Sequence, residues 1–372
     1  MKEIAVVVGT RPEAVKMAPV ILELERHPAF EARVVATGQH RELLAQVFEH
    51  FGITPDVNLD IMERGQSLTQ IAVRALSGLE SAIRDMAPDF VLVHGDTSTT
   101  LMGALASFYL GVPCGHVEAG LRSFNLAQPF PEEGNRRLVS QIAAAHFAPT
   151  GLARENLLRE GVSDEAIFVT GNTAIDALRM LSPERRERPQ EDLILVECHR
   201  RENLGEPHRQ SFLGLRDALA AHPSAKAAVS VHPNPSLRQV VMETLGDHPR
   251  VTLLEPPPYP EWVRLLARST ILVTDSGGAQ EEAPALGVPV VLLRRTTERP
   301  EAVAAGTVWR VDPERERVAA AIGRLLSDGA LYDGMSSATN PYGDGHAAKR
   351  TVAGLAHIMG LDPQRPEPFQ TS

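Results

Sequence analysis

Short apolar runs, each closed by a turn and followed by a stretch of helical period, recur from Ile4 to Thr274, and this alternation allows few folds. Ile4–Val8 leads into a helix expected from about Pro12 to Arg26, Ala32–Ala36 into His40–Phe51, and Phe90–His94 into Thr99–Tyr109. Gly115–Val117 and Ile167–Val169 continue the series, with another helix opening at Asn172. Apolar runs without polar alternation are strands buried on both faces, the mark of a parallel sheet covered by helices.

The stretch 182–192 is charged, bounded by prolines and lacks an apolar anchor after Leu181, so it reads as a linker. A second alternation follows, with strands at Leu193–Val196, Ala227–Val231, Val251–Leu254 and Ile271–Thr274. The helices between them fall near Arg209–Ala221, Ser236–Leu245 and Tyr259–Ala267. The expected architecture is α/β, two doubly wound Rossmann-like domains facing a cleft. Their bounds are 1–181 and 193–345, and a C-terminal segment, 346–372, ends in a polar, proline-rich tail. A chain of 372 residues is long enough for two such cores.

The net charge of −10 argues against general affinity for nucleic acid or an anionic membrane, so basic residues here are local tools. Cys114 and Cys198 are the only cysteines, which provides neither a disulfide framework nor a zinc spacing and fits a reducing cytoplasm. Met1-Lys2-Glu3 runs directly into the first strand, leaving no room for a signal peptide, and no apolar run approaches membrane-spanning length. A soluble, cytoplasmic protein is expected.

Ligands in doubly wound sheets bind beyond the carboxyl ends of the strands, which selects the turns that matter. After the first strand comes Gly9-Thr10-Arg11-Pro12-Glu13, which is neither the nicotinamide fingerprint nor a phosphate-binding Walker loop. Arg11 and Lys16 can offer positive charge to a phosphate or carboxylate; a solvated basic face, with Pro12 starting the helix, accounts for the same residues. Asp96 and Glu118 each follow an apolar strand, where a carboxylate is costly unless paired or titrating. Either could instead cap a helix. Glu132 lies in a proline-stiffened loop with Arg136 as a potential charge partner, and three acids around one cleft fit general acid–base chemistry.

His199-Arg200-Arg201-Glu202-Asn203 concentrates charge after the Leu193–Val196 strand, and its arginines favour a phosphate-bearing partner. Cys198 beside it reads as a small buried thiol rather than a nucleophile. Thr274-Asp275-Ser276-Gly277-Gly278 joins a strand to a helical opening at Gln280–Leu286, and paired glycines let backbone N–H groups approach a diphosphate. Glu281 and Glu282 suit that place only if one faces a neutral group such as a ribose; an ordinary glycine turn with acids in the first helical turn remains an alternative. Metal-binding motifs are lacking despite 13 histidines, so no metal is expected, and a nucleotide-linked sugar fits better than a polysaccharide.

Taken in order, several further motifs complete a pattern: Gly38-Gln39-His40-Arg41-Glu42, Val93-His94-Gly95-Asp96-Thr97, Gly115-His116-Val117-Glu118-Ala119-Gly120, Pro131-Glu132-Glu133, Thr297-Glu298-Arg299-Pro300-Glu301 and Asn340-Pro341-Tyr342-Gly343-Asp344-Gly345. With the turns above, this set closely resembles the non-hydrolysing bacterial UDP-N-acetylglucosamine 2-epimerases, from about Ile4 to about Arg350. The resemblance implies the fold shared with many nucleotide-sugar glycosyltransferases, with a C-terminal helix returning to the first domain. It also implies a cytoplasmic homodimer that needs no cofactor and interconverts UDP-N-acetylglucosamine and UDP-N-acetylmannosamine for cell-surface polysaccharide synthesis. The implied chemistry is anti elimination of UDP to a 2-acetamidoglucal, then re-addition with the C2 proton on the other face.

By motif position, the resemblance makes Asp96, Glu118 and Glu132 the acid–base candidates. Arg11, His199 and Ser276-Gly277-Gly278 would hold the diphosphate, Glu282 the ribose, and Arg299 the nucleotide side. Trp262 would lie near uracil. Gln39, Gln66, Arg200 and His232 match a second, regulatory nucleotide-sugar site. The chain departs from the family pattern at Cys198, Pro233 and Arg295 and in its short interdomain segment. A hydrolysing epimerase, a glycosyltransferase of the same fold and a silent sugar-nucleotide binder share parts of the pattern; the retained acids favour the epimerase.

Overall fold

The structure, a computed structural model, describes every residue except 39, 40, 64, 182–187 and 371–372, and for 41–43 it describes the backbone only. Two compact units emerge: Met1–Met180 with Tyr342–Thr371, and Leu181–Pro341. Most of the expected linker, and the candidate Gln39, lie outside the described residues.

The first unit is built on seven parallel strands: β1 (Lys2–Val8), β2 (Phe30–Ala36), β3 (Val57–Asn58), β4 (Phe90–His94), β5 (Cys114–Val117), β6 (Ala145–Ala148) and β7 (Ile167–Val169), in the order β3-β2-β1-β4-β5-β6-β7. Ile4 to Val8 are all buried, as a central strand covered on both faces requires. Each valine or isoleucine so buried contributes roughly 1.5–3 kcal/mol. Val7 and Val93 pack with Leu79, Ile83 and Ala104 in a core beneath the helices Leu68–Met86 and Ser98–Tyr109.

Six parallel strands form the second unit: β8 (Leu193–Cys198), β9 (Lys226–Val231), β10 (Val251–Leu254), β11 (Ile271–Thr274), β12 (Val290–Leu293) and β13 (Val308–Val311), ordered β10-β9-β8-β11-β12-β13. Both sheets are doubly wound. Their strand order reverses between β1 and β4 in one and between β8 and β11 in the other, and such reversals are where this architecture binds ligands. The described residues contain no helix long and apolar enough to cross a membrane.

The return to the first unit falls at Tyr342, a few residues earlier than the sequence boundary at 345/346. Tyr342 is fully buried, and its carbonyl accepts a hydrogen bond from the Asn172 backbone N–H at 2.6 Å. Asp176 then caps the helix Ala347–Ile358, accepting the N–H groups of Ala347 (3.1 Å) and Ala348 (2.8 Å). Gly354 lets that helix lie close to Phe147 and Phe168; a Cβ there would sit 3.0–3.1 Å from their rings.

Candidate active site

In the first unit the turn after β1 is shaped by a buried acid that the sequence reading did not select. One oxygen of Glu13 accepts the N–H groups of Gly9 (2.6 Å) and Thr10 (2.7 Å), and the other accepts the hydroxyls of Thr97 and Thr100. Burial raises the Glu13 pKa, while these hydrogen bonds oppose the shift. A capping box, Thr10 with Glu13 three residues on, was the readable signal. Arg11 is the first residue of the helix Arg11–Arg26 and is half-buried.

Lys16 does not lie on a solvated face. It is buried, and its ammonium group pairs with the Glu118 carboxylate. The helix explains the difference, since Glu13 to Ile21 are all buried and the amphipathic pattern therefore does not mark an outer face.

Glu118 is buried at 7% exposure, and Oε2 also accepts from Asn172 Nδ2 at 2.8 Å, with His94 Nε2 3.8 Å away. Its φ of +64° is left-handed, a conformation that costs a non-glycine residue about 1–3 kcal/mol and concentrates at functional sites. Gly95, also left-handed at φ +71°, passes directly over it: a Cβ there would lie 3.8 Å from Glu118 Oε1. The backbone that carries Asp96 therefore passes beside the Glu118 carboxylate.

The Gly95–Asp96 turn is fastened from three directions. His116 Nε2 donates to the Gly95 carbonyl at 2.7 Å, Asn135 Nδ2 donates to the Asp96 carbonyl at 2.8 Å, and Arg136 Nη2 donates to Asp96 Oδ2 at 2.5 Å. Arg136, buried, also reaches Glu133 Oε2 at 3.2 Å. The Asp96 side chain stays 23% exposed, open to a ligand. Glu132 begins the helix Glu132–Ile142 and is half-buried.

Buried His116 and His146 give this unit a pH dependence. Desolvation lowers their pKa from the usual 6.5 to about 3 and about 4. Between those values and 6.5 the unfolded chain binds more protons than the folded one. Stability is therefore present above about pH 6.5 and is lost as pH falls, by up to about 1.4 kcal/mol per pH unit for each ring. Melting temperatures between about pH 7 and 4 check this; a His116→Asn variant should show a flatter dependence, and an equal slope in the two proteins would contradict it.

In the second unit the glycine pair of the β11 turn serves close approach rather than unusual torsion, since neither Gly277 nor Gly278 has a positive φ. A Cβ on Gly277 would meet Arg299 Nη1 at 2.9 Å and Arg200 Nη2 at 3.1 Å, so two guanidinium groups lie over the turn. Arg299, buried, donates to Glu281 Oε1 (2.6 Å) and Glu298 Oε1 (2.5 Å). Arg294 Nη1 lies 2.9 Å from Glu298 Oε2, and Arg200 Nη2 lies 3.8 Å from Glu298 Oε1. This cluster can present fixed positive charge to a diphosphate.

If the turn holds the diphosphate that the resemblance implies, Gly277→Ala should weaken nucleoside diphosphate binding by about tenfold or more, because Arg299 cannot step aside without loosening its hold on Glu298 and Glu281. Gly329→Ala, in the same unit but outside this turn, is the control, since an added Cβ there meets nothing within 4 Å. Equal affinities of the two variants, measured by calorimetry, would refute the close-approach account.

Glu281 is wholly buried on Arg299, so Glu282 is the acid left to meet a ligand. Trp262 is itself buried and donates its indole N–H to Glu282 Oε2 at 3.1 Å. That hydrogen bond orients the Glu282 carboxylate. Ser276 is half-buried, and its N–H donates to Thr274 Oγ1 at 2.9 Å.

His199 stacks on His232 with ring centroids 5.9 Å apart, and desolvation lowers its pKa to about 4 although a third of the side chain meets solvent. Its ring is neutral at pH 7. Of the two following arginines only Arg200 reaches the β11 turn, while Arg201 is exposed, as is Arg295. In the first unit, both ends of the Gln66 amide are engaged locally: Nε2 donates to the Ile61 carbonyl at 2.9 Å, and Oε1 accepts the Glu63 N–H at 2.8 Å.

Cys198, His208 and Asp275 bring three potential ligand atoms within 4.8 Å of one another, a grouping that spacing along the chain did not reveal. Asp275 is occupied by N–H donors, and burial raises the Cys198 thiol pKa well above its usual value. The trio is knit by hydrogen bonds and packing.

Comparison with known proteins bears on both units. A family profile described as UDP-N-acetylglucosamine 2-epimerase matches residues 22–356. The UDP-N-acetylglucosamine 2-epimerase of Bacillus subtilis is 46% identical over 99% of this chain and 99% of its own length. Among solved structures, a Staphylococcus aureus protein in complex with UDP superposes with a TM-score of 0.94 at 43% identity, covering 100% of both chains. A Neisseria meningitidis UDP-GlcNAc 2-epimerase bound to UDP-GlcNAc gives 0.91 at 43% identity, covering 95% of this chain and 99% of its own.

Proposed function

This chain belongs to the UDP-N-acetylglucosamine 2-epimerase family, and from that premise we propose that it interconverts UDP-N-acetylglucosamine and UDP-N-acetylmannosamine by eliminating and re-adding UDP. The observation that carries the assignment is Glu118, a buried carboxylate in a left-handed conformation, held by Lys16 and Asn172 against the Gly95–Asp96 turn. Stored strain of this kind belongs to a group whose position matters more than its local comfort.

The C2–H bond is not adjacent to a carbonyl, so its proton leaves only as the C1–oxygen bond to UDP breaks. The C–H electron pair becomes the C1=C2 double bond, UDP departs with the electrons of the C1–oxygen bond, and a carboxylate takes the proton. In the return step a phosphate oxygen attacks C1 while C2 is protonated on the opposite face. Asp96, Glu118 and Glu132 supply the proton-handling groups and offset the positive charge that develops at C1. In the second unit, His199 and the Ser276-Gly277-Gly278 turn beneath Arg299 receive the leaving diphosphate, and Glu282 receives the ribose.

The proposal extends to a cytoplasmic homodimer, and to a second nucleotide-sugar contact through Arg200 and His232.

The test is incubation with UDP-N-acetylglucosamine alone, followed by NMR of the products. An equilibrium mixture of the two UDP-sugars is expected. Free N-acetylmannosamine with UDP would identify a hydrolysing enzyme, and unchanged substrate would overturn the assignment.

A further inference from the structure

One carboxylate that lies inside a sequence motif, but has no part in the reaction, links both sides of the second unit's switch point. Asp275, the residue before Ser276, is fully buried, and every hydrogen bond it receives comes from the β8 side or from the segment that follows β8. Oδ1 accepts the backbone N–H of His199 at 2.8 Å and of Arg200 at 3.3 Å. Oδ2 accepts Arg200 N–H at 3.2 Å, Asn203 Nδ2 at 3.0 Å and His208 Nε2 at 2.9 Å.

Its partners are fastened in turn. Asn203 Nδ2 also donates to the Leu293 carbonyl at 2.9 Å, at the end of β12. His208 is buried in the first turns of the helix Glu206–Ala221, its ring stacked on Phe212 at 5.9 Å. Through Asp275 the backbone that carries His199 and Arg200 is therefore pinned to the backbone that carries Ser276, Gly277 and Gly278.

Burial alone would raise the Asp275 pKa, but the donors and neighbouring imidazoles more than reverse this and hold it well below the usual carboxylate range. A permanently ionised acceptor makes each of these hydrogen bonds charge-assisted. A neutral residue here could not satisfy five donor contacts from four residues.

We propose that Asp275, braced by His208, is a positioning residue that sets His199 and the Arg200 guanidinium against the Ser276-Gly277-Gly278 turn, and so tunes diphosphate binding and departure. This rests on the assignment of that turn to the diphosphate of a UDP-sugar. His208 is the more telling position to vary, because it touches Asp275 and no proposed ligand contact.

The experiment compares wild type, His208→Leu and His208→Gln for UDP affinity by calorimetry, for kcat by NMR and for melting temperature. Leucine keeps apolar packing on Phe212 but removes the donor, whereas glutamine can place an amide N–H near the lost Nε2. His208→Leu should weaken UDP binding and lower kcat, each by about tenfold or more. His208→Gln should restore both to within about threefold. Asn203→Ala, which removes another donor from the same oxygen, provides the second arm should the leucine variant not fold, with losses in the same direction.

Unchanged affinity and kcat in folded His208→Leu or Asn203→Ala would overturn the proposal, as would a melting temperature that falls without either. A wild type that does not bind UDP would instead sink the diphosphate assignment, and this inference with it.

Discussion

Glu118→Gln is expected to lower kcat for C2 epimerisation by at least about a hundredfold, the lower range for a lost acid–base group. The amide keeps the shape of the carboxylate but cannot take a proton. It also leaves Lys16, buried and charged, facing a neutral group, and breaking a buried pair from one side costs about 3–5 kcal/mol. These two effects separate in a double variant. Glu118→Gln with Lys16→Met removes the stranded charge, so melting temperature should recover while kcat does not. Recovery of kcat alongside stability would make Glu118 a structural partner of Lys16 and nothing more.

The second large effect is expected at Arg299. Arg299→Met leaves Glu281 and Glu298, both buried, without the guanidinium that bridges them. A loss of about 3–5 kcal/mol in stability follows. UDP affinity should fall with it, because the guanidinium over Gly277 is gone. Thermal melting with and without UDP reads both consequences. A variant that melts like wild type would mean that Arg294 and Arg200 already compensate the two acids, contrary to the geometry described.

What the sequence made legible follows from how directly burial is written in it. Ile4–Val8 and Ile271–Thr274 are covered on both faces and read as strands from letters alone. The β6 strand, Ala-His-Phe-Ala, is equally buried but has only one large apolar side chain and escaped notice. The helix Leu68–Met86 was also passed over, although Ser67 and Gln70 form a reciprocal capping box that announces it.

Among candidate site residues, the strand-end rule selected the turns, and the structure places Asp96, Glu118 and Ser276 just beyond the ends of β4, β5 and β11. Side-chain direction was harder to read. The sequence did not show that Lys16 pairs with Glu118 or that Trp262 donates to Glu282. Asp275 stood in plain view inside a motif, but its partners at His199, Asn203 and His208 lie 67–76 residues earlier. Only the β8–β11 pairing brings them together.

The central claim is that carboxylates of the first unit exchange the C2 proton while UDP is detached, and solvent isotope tests it most directly. Epimerisation of UDP-N-acetylglucosamine in deuterated water, followed by proton NMR, should yield UDP-N-acetylmannosamine carrying deuterium at C2, because a proton held on a carboxylate exchanges with water before it returns. Product that retains C2 protium in full would contradict the account.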